Sequence, residues 1–437
     1  MFAQKALQGM KSYFRSLLVR LLAFLARAIL EKYHPTIIMV TGSVGKTSTK
    51  DAIACAFKKE RTVRASEKSY NSELGVPLTI IGAKNPWESL SQWCGVLWKA
   101  GDVLLHTRLY PQLLVLEVGA DRPGDLARIL AFATPDCVVV TRLPDVPVHV
   151  EAYTSTQAVK DEEFTPAFSL APGAPLVLDC DNEYAVAMGK KTQANIHTFG
   201  FLPESEVKVA DVAVIIEKGR AMGMSAIVTV DGQSHPLSII GALGAHQFLA
   251  PAAALATARA FTIPIAKALA GLRSYTPPLG RSHLLRGIHS SVLIDDSYNS
   301  SPSAAQEALR SLSIVPATGR KIAILGDMLE LGRYSVVEHE SIGKEAVEVC
   351  DVLVVVGTRS RATGDSALHA GMSEDNVHFF DTSREAVDWV VDEVSDGDAV
   401  LIKGSQGMRM ERIVEALLEN KEDTKYLVRQ EKEWKKR

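Results

Sequence analysis

The chain has 437 residues, of which 47% are hydrophobic and 23% are charged. At roughly 150 residues per domain this length predicts two or three domains, and the composition excludes disordered and fibrous proteins. With 48 Lys and Arg against 51 Asp and Glu the net charge is −3, so the basic excess of a nucleic-acid binder is missing and no such partner is expected. Five scattered cysteines without a CxxC pair favour a reducing compartment, which indicates a large cytoplasmic enzyme.

The first residues of the chain form a predicted basic amphipathic helix. Residues 1–34 contain six Lys and Arg and a single acid, and Arg20 and Arg27 interrupt their apolar run. The run is therefore too short to span a membrane, and its arginines argue against a secretory signal. Two interpretations stay open, a helix packed on the first domain and a helix on the inner face of an anionic membrane. The apolar, tryptophan-bearing stretch 87–109 allows the same two interpretations.

A phosphate-binding loop follows the first predicted strand. Residues 36–40 are a β-branched apolar run, typical of a buried parallel strand, and TGSVGKTS and a helical stretch come next. Glycines let backbone N–H groups approach phosphate oxygens, and a helix N-terminus favours negative charge. Nucleotide binding is therefore predicted, rather than a merely structural turn, with Lys46 on the β- and γ-phosphates and the Thr47 hydroxyl on Mg²⁺. The predicted contacts in the loop are Gly42, Ser43, Val44, Gly45, Lys46, Thr47 and Ser48.

Three residues downstream of the loop are suited to a metal–phosphate site. Glu117 stands at the end of the apolar run LLVLE, His149 follows a third apolar run, and Lys160 lies in AVKDEEF. Each could be an ordinary loop or surface residue. Ligands of open parallel sheets gather at the carboxyl ends of the strands, so the order and the positions of the three together favour a functional site.

Six motifs of the chain occur together in an order that resembles a known family. TGSVGKTS, SYNSELGVPLT, EVGADRPGDL, DDSYNSSPSAAQEAL, LGDMLELG and LIKGSQGMRMERIV occur in one order. The series resembles the Mur ligases, most closely the branch that adds D-alanyl-D-alanine to a UDP-N-acetylmuramoyl tripeptide. The match extends from about residue 36 to about residue 418.

The resemblance implies an α/β fold with a central P-loop ATPase domain, built on a parallel sheet, and a C-terminal Rossmann-like domain. The sequence supports this division, because a Thr-Pro-Pro break precedes a fresh series of apolar strands that alternate with helical stretches. The expected boundaries are 1–35 for the N-terminal helix, 36–276 for the central domain and 277–437 for the C-terminal domain. The segment after Glu419 is expected to be a solvated helix.

The resemblance also implies the chemistry. ATP would phosphorylate a carboxylate to an acyl phosphate, which an amine then attacks, releasing ADP and phosphate. Thr47 and Glu117 would hold one Mg²⁺, while His149 and a carbamate formed from CO₂ on Lys160 would hold a second. Arg281 would reach the ATP phosphates. The implied catalytic residues are Lys46, His149, Lys160 and Arg281.

Further residues are assigned by the same resemblance. Asp296 would contact the ribose, with Tyr298 and Asn299 beside the nucleotide. The substrate side would include Asn71, Asp327, His339, Lys403 and Ser405. Any of the last four could instead cap a helix or satisfy a turn.

The sequence departs from the family pattern in four places, one of which is the segment SYNS at residues 69–72, where only Asn71 remains of a run of asparagines. About 35 residues precede the first strand, too few for the separate domain that holds the UDP end of the substrate in the best-known members. Arg142 and Ala250 stand where the family pattern has asparagines. These departures bear on nucleotide affinity and substrate identity rather than on the type of reaction.

The implied function is peptidoglycan-precursor synthesis by a cytoplasmic ligase, with a UDP-linked muramoyl peptide and D-alanyl-D-alanine as partners. A monomer is expected, with membrane contact open for residues 1–34. One alternative is an amide ligase for another cell-envelope or folate-like substrate, although DDSYN and LGDMLELG speak against the folate branch. A non-catalytic nucleotide-binding scaffold would not need the metal residues, and a simple P-loop kinase would not need a second Rossmann-like domain.

Overall fold

The computed structural model describes residues 2–67, 70–86, 89–106, 109–431 and 434, and for residues 2–15 and Leu90 it describes the backbone alone. The side chains of the first three basic residues of the N-terminal helix, and four residues of the stretch 87–109, therefore lie outside the description. The chain divides into two compact units. Unit 1 comprises Met1–Leu143, Gln157–Lys208 and Ala250–Tyr275, and unit 2 comprises Pro144–Thr156, Val209–Leu249 and Thr276–Arg437.

Unit 1 is built on a parallel sheet in the order β2-β3-β1-β4-β5-β6. The central strands are buried on both faces because helices cover them, which explains their unbroken apolar sequences. Its strands are β1 (Thr36–Thr41), β2 (Val63–Ala65), β3 (Leu113–Glu117), β4 (Cys137–Val140), β5 (Pro175–Asp179), β6 (Asn195–Gly200) and the start of β7 (Val207–Glu217). Its helices are α1 (Phe2–Tyr33), α2 (Lys46–Phe57), α3 (Gly75–Ile81), α4 (Leu90–Leu105), α5 (Asp125–Leu130), α6 (Thr156–Phe168), α7 (Glu183–Gly189), α8 (Leu249–Ala260) and α9 (Ile265–Leu272).

Unit 2 contains a six-stranded sheet in the order β10-β11-β15-β12-β13-β14, parallel except for β10 against β11. Strands β8 and β9 form an antiparallel hairpin. The strands are β8 (Arg220–Val230), β9 (Gln233–Ile240), β10 (His283–Arg286), β11 (Val292–Asp296), β12 (Lys321–Gly326), β13 (Val352–Val356), β14 (Val377–Phe380) and β15 (Ala399–Lys403). The helices are α10 (Pro302–Ile314), α11 (Ser335–Val347), α12 (Arg361–His369), α13 (Ser383–Glu393) and α14 (Glu411–Leu417).

Each unit has its own apolar core. In unit 1 the core includes one face of α1, through Leu22, Ala26 and Ile29, so the N-terminal helix is packed on this unit. In unit 2 the core joins the inner strands to α13 and α14. The expected α/β class with a parallel sheet and a second sheet is confirmed, whereas the expected domain boundaries stay a prediction.

The segment after Glu419 differs from the expected solvated helix. Its described part begins with a 3₁₀ turn, Lys421–Tyr426, and continues with three buried residues, Leu427, Val428 and Arg429. Arg429 forms an ion pair with the buried carboxylate of Glu411 on α14, and a buried charge is stable only when it is paired. Among the residues described, no helix is long and apolar enough to cross a membrane.

Candidate active site

The glycine loop of unit 1 lies at the carboxyl end of β1. This strand stands between β3 and β4, where the order of strands reverses, and open parallel sheets bind ligands at such a point. Gly42 has φ of 118°, and a Cβ there would lie 2.3 Å from Thr141 Oγ1, so the turn requires glycine. The amides of Ser43 and Val44 donate to the Arg142 carbonyl at 3.1 and 3.2 Å. The loop is therefore fixed against the end of β4.

Lys46 is the first residue of α2 and folds back over the loop. Its Nζ donates to the Gly42 carbonyl and lies 3.5 Å from Oε1 of Glu163. Glu163 is buried, and its carboxylate accepts from Thr41 Oγ1 at 2.8 Å and from the Gly42 amide at 3.2 Å. One carboxylate on α6 thus contacts the strand end, the loop and the lysine. The sequence alone does not single out Glu163, although it lies one helical turn after Lys160 in AVKDEEF.

Thr47 and Glu117 are brought together as the sequence predicts. The Thr47 hydroxyl donates to Glu117 Oε1 at 3.2 Å, and both side chains are buried. A hydroxyl and a carboxylate are oxygen ligands of the kind that Mg²⁺ prefers. In the part of the chain that the structure describes, no group of three or more His, Cys, Asp or Glu could hold a metal by itself. A magnesium ion at this pair would thus depend on water and phosphate oxygens to complete its coordination.

Asn71 lies beside Lys46, above Gly119. The Gly119 amide donates to the Asn71 carbonyl at 3.0 Å. A Cβ on Gly119 would lie 3.2 Å from Asn71 Nδ2 and 3.3 Å from Lys46 Cε, which shows how closely the two side chains converge there. Lys160 is buried on α6, with its Nζ 5.6 Å from the ring centre of Tyr184. Lys46, Thr47, Asn71, Glu117 and Lys160 therefore all belong to unit 1.

His149 belongs to unit 2, where it pairs with Glu330. Its Nδ1 lies 2.6 Å from Oε2 of Glu330, and this hydrogen bond lowers the pKa of the Glu330 carboxyl. Both residues have left-handed backbones, with φ of 66° and 65°. Backbone strain of this kind persists only where surrounding contacts support it. The sequence alone does not reveal Glu330 as the partner, because the two residues are far apart in the chain.

The residues assigned to the nucleotide in unit 2 form one cluster with Lys403. Nζ of Lys403 lies 2.7 Å from Asp296 Oδ2 and donates to the Asn299 carbonyl at 3.0 Å. The guanidinium of Arg281 stacks 4.6 Å from the centre of the Tyr298 ring. Asp296 and Lys403 end the paired strands β11 and β15, which explains why they meet. Lys403, which the resemblance assigns to the amine substrate, thus contacts Asp296, the residue expected to bind the ribose.

Asp327, His339 and Ser405 organise the loop after β12. Asp327 Oδ1 accepts from the Arg359 and Ser360 amides at 3.0 and 2.8 Å, and Ser405 Oγ accepts from an amide of the loop at 2.8 Å. His339 accepts at Nε2 from the Met328 amide at 3.0 Å, its Nδ1 faces a backbone carbonyl, and burial lowers its pKa. Both ring nitrogens are engaged within the protein. The substrate role of the three residues stays a prediction.

Comparison with known proteins gives three findings. Residues 280–406 match the family model described as Mur ligase, glutamate ligase domain. The chain is 25% identical over 397 residues to the UDP-N-acetylmuramoyl-tripeptide–D-alanyl-D-alanine ligase of Bacillus subtilis, covering 91% of this chain and 79% of that protein. It is 29% identical over 377 residues to the enzyme of the same name from Mycobacterium tuberculosis, covering 84% of this chain and 67% of that one.

The fold also matches a solved structure. The MurF ligase of Thermotoga maritima in complex with ADP superposes with a TM-score of 0.72 at 24% identity, covering 91% of this chain and 83% of that chain. This likeness concerns the fold. The resemblance drawn from the motifs is therefore confirmed by the sequence relatives, and the expected fold by the solved structure.

Proposed function

We propose that this chain is a Mur ligase that joins D-alanyl-D-alanine to a UDP-N-acetylmuramoyl tripeptide at the expense of ATP. The match of residues 280–406 to the Mur ligase model and the shared fold support this proposal. The reaction is an ATP-dependent carboxylate–amine ligation in peptidoglycan-precursor synthesis. The names of the relatives support the substrates, and the ADP complex of the structural neighbour supports nucleotide binding.

One observation carries the proposal, the grouping of Lys46, Thr47 and Glu117 around the glycine loop. The loop places the N-terminus of the twelve-residue helix α2 at the carboxyl edge of the sheet. That helix end and the Lys46 ammonium favour the terminal phosphates of ATP. Thr47 and Glu117 supply the oxygen pair for magnesium, which when bound neutralises charge on the phosphates.

The chemistry requires two anions to approach each other. The substrate carboxylate attacks the γ-phosphorus of ATP, the bond to the β–γ bridging oxygen breaks, and ADP leaves. The amine of D-alanyl-D-alanine then attacks the acyl carbon, phosphate leaves, and the amine loses a proton. Lys46 must exchange its contacts with the Gly42 carbonyl and Glu163 for the phosphates. Glu163 meanwhile keeps the loop in place through Thr41 and Gly42.

For Lys160 we propose carboxylation by CO₂. The ammonium first loses a proton, and the neutral amine nitrogen then attacks the carbon of CO₂ and loses a second proton. The former cation is now a carbamate anion, which could bind a second magnesium with His149. The place of Lys160 on α6 supports this proposal, because it lies three residues before Glu163, whose carboxylate contacts Lys46 and the glycine loop. In unit 2 we propose that Arg281 contacts the phosphates, Asp296 the ribose, and Tyr298 and Asn299 the nucleotide. Asp327, His339, Lys403 and Ser405 would serve the amine side, and Asn71 the peptide substrate.

The proposal is tested by phosphate release with defined substrates. UDP-N-acetylmuramoyl tripeptide, D-alanyl-D-alanine and Mg·ATP should give a UDP-linked pentapeptide by mass spectrometry. Lys46→Met should reduce the rate by roughly two to three orders of magnitude, because a cation at the transferring phosphoryl group is lost. Lys59→Met, at an exposed position two residues after the end of α2, is the matched control. Activity only with a folate-like acid and glutamate would instead assign the alternative ligase.

A separate measurement tests the carbamate. Lys160→Ala should lose activity and regain part of it with added formate or acetate, since a short carboxylate can occupy the space of the carbamate. Depleting CO₂ should lower the rate of the parent protein but leave that of the rescued variant unchanged. If no carboxylate restores Lys160→Ala while its thermal midpoint equals that of the parent, Lys160 does not act as a carbamate.

For location we propose the cytoplasm, where UDP-linked precursors and ATP are available, and a monomeric state. We also propose peripheral contact of residues 1–34 with the inner face of the membrane. The excess of basic residues in this segment supports that contact.

A further inference from the structure

Two neighbouring helices of unit 1 expose large apolar side chains. On α1, Leu17, Leu21 and Phe24 are 55%, 41% and 68% exposed. They recur at intervals of four and three residues, so they share one face of the helix. The large apolar residues exposed on α4 are Trp98 and Leu105, and Leu109 is exposed four residues after the helix; Trp98 is 74% exposed. We call these six residues the apolar surface.

The apolar surface is not the core-facing side of these helices. Leu22, Ala26 and Ile29 of α1, with Val96 and Ala100 of α4, already fill the core of unit 1. Both helices are thus apolar on a buried face and on an outward face. A helix that only packs on a domain needs one apolar stripe and is polar on its outer side. The second face therefore points to something that covers it.

The two helices are joined at their C-terminal ends. Nζ of Lys32 donates to the carbonyls of Val103, Leu104 and His106 at 3.2, 2.8 and 3.0 Å. The Tyr33 hydroxyl donates to the Val103 carbonyl at 2.8 Å. These bonds satisfy carbonyls at the end of α4 and hold α4 against α1. The exposed apolar residues therefore lie on, or shortly after, two helices that are bonded to each other.

The basic residues near the apolar surface indicate what kind of partner covers it. Residues 1–34 carry six basic residues and one acid in a chain of net charge −3. The single acid, Glu31, is engaged by Arg27 at 2.9 Å, while Arg20 and Lys99 are exposed next to members of the apolar surface. Exposed apolar side chains with basic residues beside them in the chain match a bilayer with anionic headgroups, and tryptophan favours that interface.

We propose that the apolar surface on α1 and α4 binds an anionic membrane, with its side chains in the headgroup region and unit 1 outside the bilayer. The inference rests on the peripheral contact proposed for residues 1–34 and adds α4 and the lipid class. We expect these side chains to insert only into the headgroup region, because no helix of the described chain could span a bilayer.

Sedimentation of the full chain with vesicles tests the inference. Vesicles of phosphatidylcholine with phosphatidylglycerol should bind the protein at least about tenfold more tightly than vesicles of phosphatidylcholine alone. Phe24→Glu with Trp98→Glu should abolish binding. The matched control is Ile216→Glu with Val337→Glu, which changes charge equally at two exposed apolar residues elsewhere and should bind like the parent.

Three results would overturn the inference. In the first, the parent does not bind the mixed vesicles. In the second, the variant with Phe24→Glu and Trp98→Glu binds them as tightly as the parent does. In the third, the parent binds no vesicles but forms a dimer, and the two substitutions dissociate that dimer. The last would assign the surface to a second copy of the chain. Ligase activity without vesicles is measured on every variant. Its absence in a protein that still binds vesicles would contradict the proposed function and leave the membrane inference intact.

Discussion

Arg429 shows how one residue of the tail supports the candidate nucleotide site. Its Nε donates to Oε2 of buried Glu411 at 3.0 Å, and its Nη1 donates to the Tyr298 carbonyl at 3.0 Å. Its Nη2 donates to the Ser297 carbonyl. Tyr298 carries the ring on which Arg281 stacks. Arg429 thus fixes the backbone of a segment assigned to ATP without belonging to it, and acts as a positioning residue.

We expect Arg429→Met to lower the free energy of unfolding by about 3–5 kcal/mol, because Glu411 loses one of its two cations in a buried position. Urea denaturation measures the change, and Arg384→Met at an exposed position is the control. The KM for ATP should rise more than kcat falls. Arg429→Met combined with Glu411→Met should recover stability but not the KM, since the two carbonyls stay without their donor. Equal recovery of both would contradict the positioning role.

At the scale of the elements, the sequence predicts best where a motif and its structure are continuous in the chain. The strand expected at residues 36–40 is β1, and the glycine loop and α2 follow in order. The pairing of Thr47 with Glu117 was predictable because adjacent parallel strands end at one edge. Glu163 and Glu330 were not predictable, because each meets its partner through tertiary packing over more than a hundred residues. The segment after Glu419 is not the expected solvated helix, and the sequence could not show that its Arg429 is buried beside Glu411.

The end of β11 carries a carboxyl that should respond to pH. Asp295 is fully buried, and burial raises its pKa to about 6. Its Oδ1 accepts from the Ser297 amide at 3.1 Å, whereas Oδ2 makes no hydrogen bond within the described part of the chain. Because the folded pKa exceeds the unfolded one, the folded state binds the extra proton between about pH 4 and pH 6. Asp295 therefore favours folding at low pH, and this contribution is lost as the pH rises through 6.

We expect Asp295→Asn to gain stability relative to the parent as the pH rises from 4 to 7, by on the order of 2–3 kcal/mol. An amide oxygen can still accept from Ser297, and the buried charge is gone. Urea midpoints of both proteins across this range measure the difference, and Asp388→Asn at an exposed position should run parallel to the parent. A difference that does not change with pH would show that Asp295 is ionised throughout.

At the scale of the whole molecule, each of the two units contains an apolar core of its own. Leu176 on β5 and Leu417 on α14 are fully buried, one in each core. Truncating either to alanine should cost its own unit about 3–5 kcal/mol through lost burial and a cavity. Chains with several domains commonly depart from two-state unfolding.

We therefore expect two unfolding transitions, followed by tryptophan fluorescence, since Trp93 packs on the first core and Trp389 on the second. Leu176→Ala should move one transition and Leu417→Ala the other. Mg·ADP at about a hundred times its Kd should stabilise unit 1 by about 2.7 kcal/mol, because the glycine loop belongs to that unit. This is the unit that Leu176→Ala weakens. Lys46→Met should reduce this gain while leaving the transitions without nucleotide in place. A single transition moved equally by both leucine variants would mean that the two cores unfold as one.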